Sequence, residues 1–347
     1  MKKFGLVTCM LAVVLNMVCL SPASAQEKQR VMRITGSGAS FPFPLYSAWF
    51  KSFSKTQKNA NIDFQAKGSG AGVLDFINRT VDFAASDAAM TPEEIAKVKG
   101  GVVLLPMTAG KIVIAYNLPG NPKELKLPRD VYPDIFLGKI TKWNDPRIQS
   151  ANPDLKLPDL PITVVRRADS SGTTFVFTSH LSAISPDWKN GPGAGTTVNW
   201  PGSDKIVAAP KNDGITATIK QTPGAIGYIE YAYAMCAKVP MADLQNKAGK
   251  FVRPTTESGK AALASAQLPE NLIAWVLDPE GDESYPIATF TWMLFYKENT
   301  NPKKAAVLRE MVEYGLTEGQ KISAKMGYIP LPENVVTAVR ANVDKIQ

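Results

Sequence analysis

Short apolar runs alternate with amphipathic stretches and with turns rich in Gly or Ser along the chain from residue 26 onward. Apolar runs bounded by turn residues predict strands, here at 31–35, 62–67, 83–85, 102–107, 111–117, 162–166, 226–229 and 287–296. Segments with apolar positions three and four residues apart predict helices, here at 43–56, 72–78, 91–97, 128–137, 173–181, 213–221, 256–264, 303–318 and 333–346. This alternation is typical of an α/β protein, and no internal repeat interrupts it.

The pattern also indicates how the chain divides. Residues 152–161 and 191–204 are the richest in proline and polar connectors, and loops of this kind belong to the surface of one lobe rather than to a linker between domains. From Trp292 onward a strand and long helices follow without an obvious core of their own. We therefore expect 26–117 and 292–347 to form one lobe and 118–291 to form the other.

The first 25 residues have the pattern of an export signal. Lys2 and Lys3 precede an apolar run at 4–20, and small residues at 23–25 supply a cleavage site before Gln26. The apolar run is too short and wrongly flanked for a stable membrane span. The sequence therefore predicts a cleaved signal peptide and an exported mature protein.

The number of cysteines limits which disulfides can form. Cys9 and Cys19 leave with the predicted signal, so only Cys236 remains and no intramolecular disulfide can form. A lipid anchor on Cys19 is the alternative to simple cleavage, but residues 15–18 lack the small side chains that such processing usually requires. The apolar surroundings of Cys236 predict a small buried residue rather than a reactive thiol.

The basic charge of the chain is moderate and dispersed. The formal net charge is +8 at pH 7, and it falls to +6 once 1–25 are removed, because that segment carries two lysines and no acidic residue. Lys and Arg are spread along the chain, which is typical of a solvated surface and argues against a nucleic-acid partner. A mild positive field would draw small anions toward the protein.

The sequence excludes several common active sites. His180 is the only histidine, so histidine-rich and cysteine-rich metal sites of the usual kinds are excluded, and we expect no metal. His180 lies in a predicted helix, where a surface or packing role is expected rather than a place in a catalytic triad. No Gly-Lys pair is followed by Ser or Thr, so a phosphate-binding loop of the nucleotide hydrolases is absent from the sequence.

Three segments place Gly and Ser immediately before a predicted helix, at 36–44, 68–73 and 170–175. The first turn of a helix leaves backbone N–H groups unpaired and carries a partial positive charge, and glycine allows a ligand to approach that backbone closely. Each segment alone is more simply explained as an ordinary helix cap. Three of them brought together would form a cradle for an anion.

An arginine stands beside one of these segments. In 164–173 a strand ends in Arg166 and Arg167, and a helix begins almost at once after Asp169. Arg binds an oxyanion through two parallel hydrogen bonds, and Asp169 can hold the guanidinium of Arg167 in place. The alternative is a surface ion pair, which does not explain why strand end, ion pair and cap fall together.

A carboxylate follows another strand, where Asp87 ends the apolar segment 81–86. An ionised carboxylate only accepts hydrogen bonds and repels an anion. A phosphate that still carries a proton can donate to Asp87, whereas fully ionised sulfate cannot. Asp87 is therefore predicted to discriminate against sulfate, and the alternatives are a cap for the helix at 91–97 or a turn residue.

These residues lie in segments that resemble the substrate-binding protein of the bacterial phosphate ABC transporter, the PstS type. The similarity runs through nearly the whole chain after the signal and is carried by the segments 35–46, 81–88, 136–145, 164–177, 212–215 and 223–233. The resemblance implies a two-lobe periplasmic binding protein fold of type II, in which each lobe is a mixed sheet flanked by helices and the chain crosses the hinge twice.

The resemblance also implies the site. It carries phosphate-binding roles onto a set of eight residues and a supporting role for the guanidinium onto Asp169, with Phe41 acting through its backbone N–H; the eight are Ser40, Phe41, Ser69, Asp87, Arg167, Ser171, Gly172 and Thr173. Ser40 stands where many members have Thr, and Gly70-Ala71 replaces the commoner Ser-Gly. Both departures keep a hydroxyl or a compact backbone.

The function implied is capture of inorganic phosphate in the periplasm and its delivery to the inner-membrane permease subunits of an ABC importer, by a monomer without cofactor and without enzymatic activity. Three alternatives stay open. A phosphatase could use the same cradle, although the sequence offers neither a nucleophile with its base nor a metal pair. An adhesion or signalling module could keep the fold without transport, and sulfate or another tetrahedral oxyanion could be the ligand.

Overall fold

The computed structural model describes residues 31–57, 59–264 and 266–347. The predicted signal peptide lies outside these residues, as do Cys9 and Cys19. Within the described residues, no helix is both long enough and apolar enough to cross a membrane.

The described chain is a mixed α/β structure. In chain order its strands are β1 to β11, at Met32–Gly38, Ala60–Ala66, Phe83–Ser86, Val102–Tyr116, Lys126–Leu127, Thr163–Arg167, Ile206–Ala209, Ala225–Glu230, Asp243–Gln245, Phe251–Val252 and Ala288–Tyr296. Its α-helices are α1 to α13, at Phe43–Thr56, Ser69–Ile77, Pro92–Ala96, Tyr132–Phe136, Pro146–Gln149, Gly172–Ile184, Pro186–Asn190, Lys211–Gln221, Tyr231–Ala237, Thr256–Ala264, Pro302–Tyr314, Gln320–Ser323 and Glu333–Arg340.

One eight-stranded sheet runs through the fold in the order β2-β1-β3-β11-β4-β8-β6-β7, and β10-β9-β5 form a small second sheet. Strand β4 pairs with β11 over its first part and with β8 from Ile112 to Tyr116. We call the strands from β2 to the start of β4 the first half of the sheet, and those from the end of β4 to β7 the second half. The chain enters the second half along β4 and re-enters the first half along β11.

The parallel strands set the place of the site. In the first half β1 lies parallel to β2 and β3, and in the second half β6 lies parallel to β7 and β8. Parallel strands with following helices leave their carboxyl ends and the helix N-termini at one edge, which is where ligands bind in such sheets. Strands β1, β3 and β6 end just before Ala39, Asp87 and Ala168, respectively.

The predicted elements recur with four differences that have physical causes. The strands predicted at 102–107 and 111–117 are one buried strand, because β4 finds partner strands along its whole length. The helix predicted at 128–137 is only Tyr132–Phe136, since Pro133 is tolerated only in a first turn. The helix predicted at 333–346 ends at Arg340, and the chain continues as a turn and a 3₁₀ segment.

The helix predicted at 303–318 is the fourth difference. It changes from α to π geometry at Gly315–Gly319, where the chain packs around Trp49. A methyl group on Gly319 would stand 2.7 Å from the Trp49 ring, and the indole N–H donates to the Gly319 carbonyl at 3.0 Å. The missing side chain and the widened turn together make room for that ring.

The structure also tests the predictions made for Cys236 and His180. Cys236 is exposed, so the expectation of a buried thiol is wrong: Ala232 and Ala234 turn inward on the short helix α9, and Cys236 faces outward. His180 is buried in α6, and its Nε2 lies 2.7 Å from the Tyr132 hydroxyl. Burial lowers the pKa of His180 to about 4, as expected for a neutral packing residue.

Candidate anion-binding site

The two segments that carry Asp87 and Arg167 meet at the edge where the two halves of the sheet come together. Gly172 begins α6, five residues after Arg167, and a methyl group on it would stand 2.8 Å from Oδ2 of Asp87 and 2.5 Å from Oγ of Ser69. The positive charge of Arg167 acts on the pKa of Asp87. The arginine, the carboxylate and two of the three predicted helix ends therefore share one location.

Arg167 is held rigidly, with one donor group left over. Its side chain is 1% exposed, its Nε donates to Oδ1 of Asp169 at 2.8 Å and its Nη2 donates to Oδ2 at 2.5 Å. Asp169 also accepts from the backbone N–H of Lys211 at 2.9 Å. Among the described residues Nη1 of Arg167 has no hydrogen-bond partner although it is buried. A buried guanidinium N–H is costly to leave unmatched, so Nη1 is a donor suited to a ligand.

Asp87 is buried beside these donors. Its Oδ1 accepts from the Thr291 hydroxyl at 2.8 Å, and its backbone N–H donates to Oγ of Ser69 at 3.3 Å. Burial raises the pKa of Asp87 to about 7, while the hydrogen bond from Thr291 and the charge of Arg167 oppose that rise. The helix-cap alternative is wrong, because Thr91 and Glu94 form the capping box of α3.

Four hydroxyl groups of the predicted set are buried at the same place. Ser171 caps α6 by accepting from the backbone N–H of Thr174 at 3.1 Å, and Ser69 begins α2. Ser40 and Thr173 both accept from the side-chain amide of Asn212, at 3.0 and 3.3 Å. All four are almost fully shielded from solvent. Each accepts a bond from an N–H group. The Ser69 hydroxyl also acts on the Asp87 carboxyl group and opposes the rise that burial causes in its pKa, whereas the hydroxyls of Ser40, Ser171 and Thr173 donate to no other group of the described residues.

Phe41 contributes its backbone N–H to the site rather than its ring. Its carbonyl accepts from the Tyr328 hydroxyl at 2.8 Å, and its ring packs in the core. Within the described ranges no carbonyl or side chain accepts from the Phe41 N–H. This N–H is therefore a further donor available at the turn before α1.

The two halves of the sheet touch around this cluster. The Gly70 N–H donates to the Ser170 carbonyl at 3.2 Å, and a methyl group on Gly68 would stand 2.5 Å from Oδ2 of Asp169. A cavity of about 560 Å³ opens outside Ser69 and Ser170, and a second of about 460 Å³ opens outside Ser40. The cluster between these cavities is enclosed, so its polar groups act in a region of low dielectric.

Two residues of the site carry no role in the sequence prediction. Asn212 lies at the start of α8, inside one of the segments that carry the resemblance, and its position just before the helix predicted at 213–221 was an available signal. Thr291 lies in the apolar strand β11, where nothing in the pattern distinguishes its hydroxyl from that of Thr289. No group of three or more His, Cys, Asp or Glu side chains that could hold a metal ion occurs in the part of the chain described.

The arrangement favours one class of ligand. Donors come from Arg167, from several hydroxyls and from helix N-termini, while Asp87 is a single acceptor among them. Donors around an acceptor fit a tetrahedral oxyanion that still carries one proton.

A family model described as a PBP superfamily domain matches residues 23–314. Among curated relatives, the chain is 39% identical over 311 residues to "Phosphate-binding protein PstS" of Pasteurella multocida, covering 89% of each chain. It is 40% identical over 338 residues to the protein of the same name from Methanocaldococcus jannaschii, covering 91% of this chain and 86% of that one.

Solved structures show the same fold. A high affinity periplasmic phosphate-binding protein, PfluDING, bound with phosphate, superposes with a TM-score of 0.75 at 22% identity, covering 90% of this chain and 94% of that one. The phosphate-binding protein of Stenotrophomonas maltophilia gives a TM-score of 0.71 at 23% identity, covering 90% and 94%. The expected two-lobe α/β fold class is thereby confirmed, and the relatives are binding proteins, not enzymes. The chain belongs to the PBP superfamily and, within it, to the PstS family of phosphate-binding proteins.

Proposed function

We propose that the chain, once cleaved before Gln26, binds one inorganic phosphate ion in the periplasm and delivers it to the inner-membrane permease of a phosphate ABC transporter. The family and the names of the relatives support phosphate as the ligand. In this proposal 26–117 with 292–347 form one lobe and 118–291 form the other, and the monomer closes them around the ion without a metal or other cofactor.

The observation that carries the proposal is the burial of Asp87, a single acceptor, among donors that include the unmatched Nη1 of Arg167. Monohydrogen phosphate can offer three oxygens to the donors and its proton to Asp87. Sulfate has no proton to offer, so its oxygen would face the carboxylate and be repelled.

Each predicted residue has a role in the proposal. Nη1 of Arg167 and the Phe41 N–H donate to the ion, as do the N-termini of α2 and α6 at Ser69 and Gly172. The hydroxyls of Ser40, Ser69, Ser171 and Thr173 donate their protons. Asp169 fixes the orientation of the guanidinium group by accepting from Nε and Nη2, so that Nη1 is left for the ligand. Closure replaces water around the ion with these fixed groups, which are stronger in a dry cleft.

Release to the permease follows from the same geometry. The ion touches residues of both halves, so binding favours the closed form over any open one. A permease that recognises the closed form and separates the halves would remove donors from the ion on both sides. Delivery thus needs no chemical step on the phosphate.

Titration calorimetry of residues 26–347 at pH 8 tests the binding step. We expect one phosphate per chain and at least a thousandfold weaker binding of sulfate. Absence of heat with phosphate, or equal affinities for the two ions, would contradict the ligand assignment. Delivery is tested separately by restoring phosphate uptake in a bacterial strain deleted for its own phosphate-binding protein; a chain that binds phosphate but restores no uptake would contradict the transport role alone.

A further inference from the structure

Asn212 connects the two halves of the sheet at the site. It is fully buried at the start of α8, and its Nδ2 lies 3.0 Å from Oγ of Ser40 and 3.3 Å from Oγ1 of Thr173. Ser40 follows β1 of the first half, whereas Asn212 and Thr173 follow β7 and β6 of the second. One amide group therefore bridges hydroxyls on opposite sides of the cleft.

The orientation of this amide is fixed by a third contact. The backbone N–H of Glu230 donates to Oδ1 of Asn212 at 3.0 Å. Because a backbone N–H can only donate, the oxygen of the amide has to face Glu230, and the NH₂ group has to face the two hydroxyls. The assignment of donor and acceptor at Asn212 thus follows from the backbone.

The amide then determines what the hydroxyls can do. Oγ of Ser40 accepts from Nδ2 and also from the backbone N–H of Asn212, at 3.3 Å. A hydroxyl has two lone pairs and one proton, so both acceptor sites of Ser40 are used and only donation remains. Thr173 accepts one bond from the same group and is biased in the same direction. Both hydroxyls are therefore prepared to donate to unprotonated oxygens of a ligand.

The donor role of the Ser40 and Thr173 hydroxyls complements the acceptor role of Asp87. If the oxygens opposite Ser40 and Thr173 have to be unprotonated, the one proton of the ion is left for the oxygen opposite the carboxylate. The selection of a singly protonated anion then depends on both sides of the cleft, through a donor-only hydroxyl pair and an acceptor-only carboxylate.

We propose that Asn212 is a positioning residue for phosphate binding: its amide commits the Thr173 hydroxyl as a donor within the second half, and commits the Ser40 hydroxyl only when the two halves are together. The inference rests on the proposed function, because the ligand in question is phosphate. It goes beyond the proposed function by assigning part of the phosphate affinity, and part of the selection for a singly protonated ion, to a side chain that donates to hydroxyls of the site.

A double-mutant cycle measured by phosphate calorimetry tests it. We expect Asn212→Ala to weaken phosphate binding about ten- to hundredfold, since two hydroxyls lose their orientation. In a Ser40→Ala background the same substitution should have an effect at least about fivefold smaller, because one of its targets is gone. If Asn212→Ala does not fold, Asn212→Leu serves in the same cycle: it keeps the approximate volume of the side chain, adds no charge and lacks the NH₂ donor.

A buried asparagine elsewhere provides the matched control. The amide of Asn246 donates to the carbonyls of Gly281, Asp282 and Ser284, and Asn246 lies in none of the site segments. Asn246→Ala should lower the melting temperature and leave the phosphate affinity within about twofold, with or without Ser40→Ala.

The outcomes separate the two proposals. A wild-type chain that does not bind phosphate overturns the proposed function and this inference with it. A wild-type chain that binds phosphate while Asn212→Ala binds equally well overturns the inference alone. The inference is also overturned if Asn212→Ala lowers the phosphate affinity by the same factor with and without Ser40→Ala. Asn212 would then act independently of the Ser40 hydroxyl, for example through folding.

Discussion

Gly172 stands so close to Asp87 that a methyl group on its Cα would lie 2.7 Å from Cβ and 2.8 Å from Oδ2 of the carboxylate side chain. The first residue of α6 thus forms one wall of the cluster, and the opposite wall is Asp87 itself. This contact joins the second half of the sheet to the first.

Gly172→Ala is expected to weaken phosphate binding about ten- to hundredfold, because the added methyl group collides with Ser69 and Asp87 when the halves are together. Calorimetry measures the loss. Gly202→Ala is the control, since no heavy atom lies within 4 Å of its added methyl group. Equal phosphate affinities for the two variants would contradict the close approach of α6.

Asp87→Asn is expected to reduce discrimination between phosphate and sulfate more than it reduces phosphate affinity. An amide can donate to an unprotonated oxygen and carries no charge, so the repulsion of sulfate is relieved. Competition of sulfate against phosphate gives the selectivity ratio for both proteins. An unchanged ratio would remove Asp87 from the role assigned to it.

The stability of the ligand-free protein should depend on the same carboxyl group. The pKa of Asp87 is about 7 in the folded protein against 3.8 for the free side chain. Between these values the folded state holds a proton that the unfolded chain has released, so the free energy of unfolding contributed by Asp87 falls as the pH rises from about 4 to 7. Urea unfolding across that range should show wild type losing on the order of a few kcal/mol relative to Asp87→Asn. Parallel curves for the two proteins would contradict the raised pKa.

Thr291→Val removes the hydroxyl that donates to Oδ1 of Asp87 while keeping the shape of the side chain. We expect a further rise in the pKa of Asp87 and phosphate binding about three- to tenfold weaker at pH 7. Thr289→Val is the control on the same strand, because the Thr289 hydroxyl donates to the Phe290 carbonyl instead. The affinity of both variants is measured from pH 6 to 9, and identical profiles would exclude a role for Thr291.

Arg167→Lys keeps the positive charge but loses the planar group that holds Asp169 with two nitrogens and leaves Nη1 for a ligand. Phosphate affinity should fall about a hundredfold or more, because one ammonium cannot serve both partners in these positions. Arg253→Lys, at an arginine paired with Asp243, should change it less than twofold. Similar affinities for the two variants would show that charge alone is sufficient.

Much of the candidate site was predictable because its parts are local. Ser69, Gly172 and Thr173 stand where a turn passes into a helix, and Arg167 with Asp169 stands at a strand end. Composition and spacing single out these segments, and the resemblance to the PstS type assigns the individual residues. The pairing of Asp87 with these groups depends on the fold, yet it follows once β3 and β6 end at the same edge. The binding roles themselves remain predictions.

The remainder depends on tertiary contacts that no local pattern encodes. Thr291 has ordinary neighbours in an ordinary strand. Asn212 precedes a predicted helix, but only the packing of distant elements gives its amide the Ser40 hydroxyl as a partner. The exposure of Cys236 was mispredicted for a similar reason, because the apolar residues beside it face the core and it does not. The extra short strands of the small sheet are too brief to produce a periodic signal.

Strand β4 extends unbroken from Val102 to Tyr116 and exchanges β11 for β8 as its main partner near Lys111 and Ile112. No loop separates the two pairing zones, so the proposed closure would pass at this crossing through a buried, extended backbone. A hinge of this kind would spread small changes of backbone dihedral angle over several paired residues instead of concentrating them in a flexible loop.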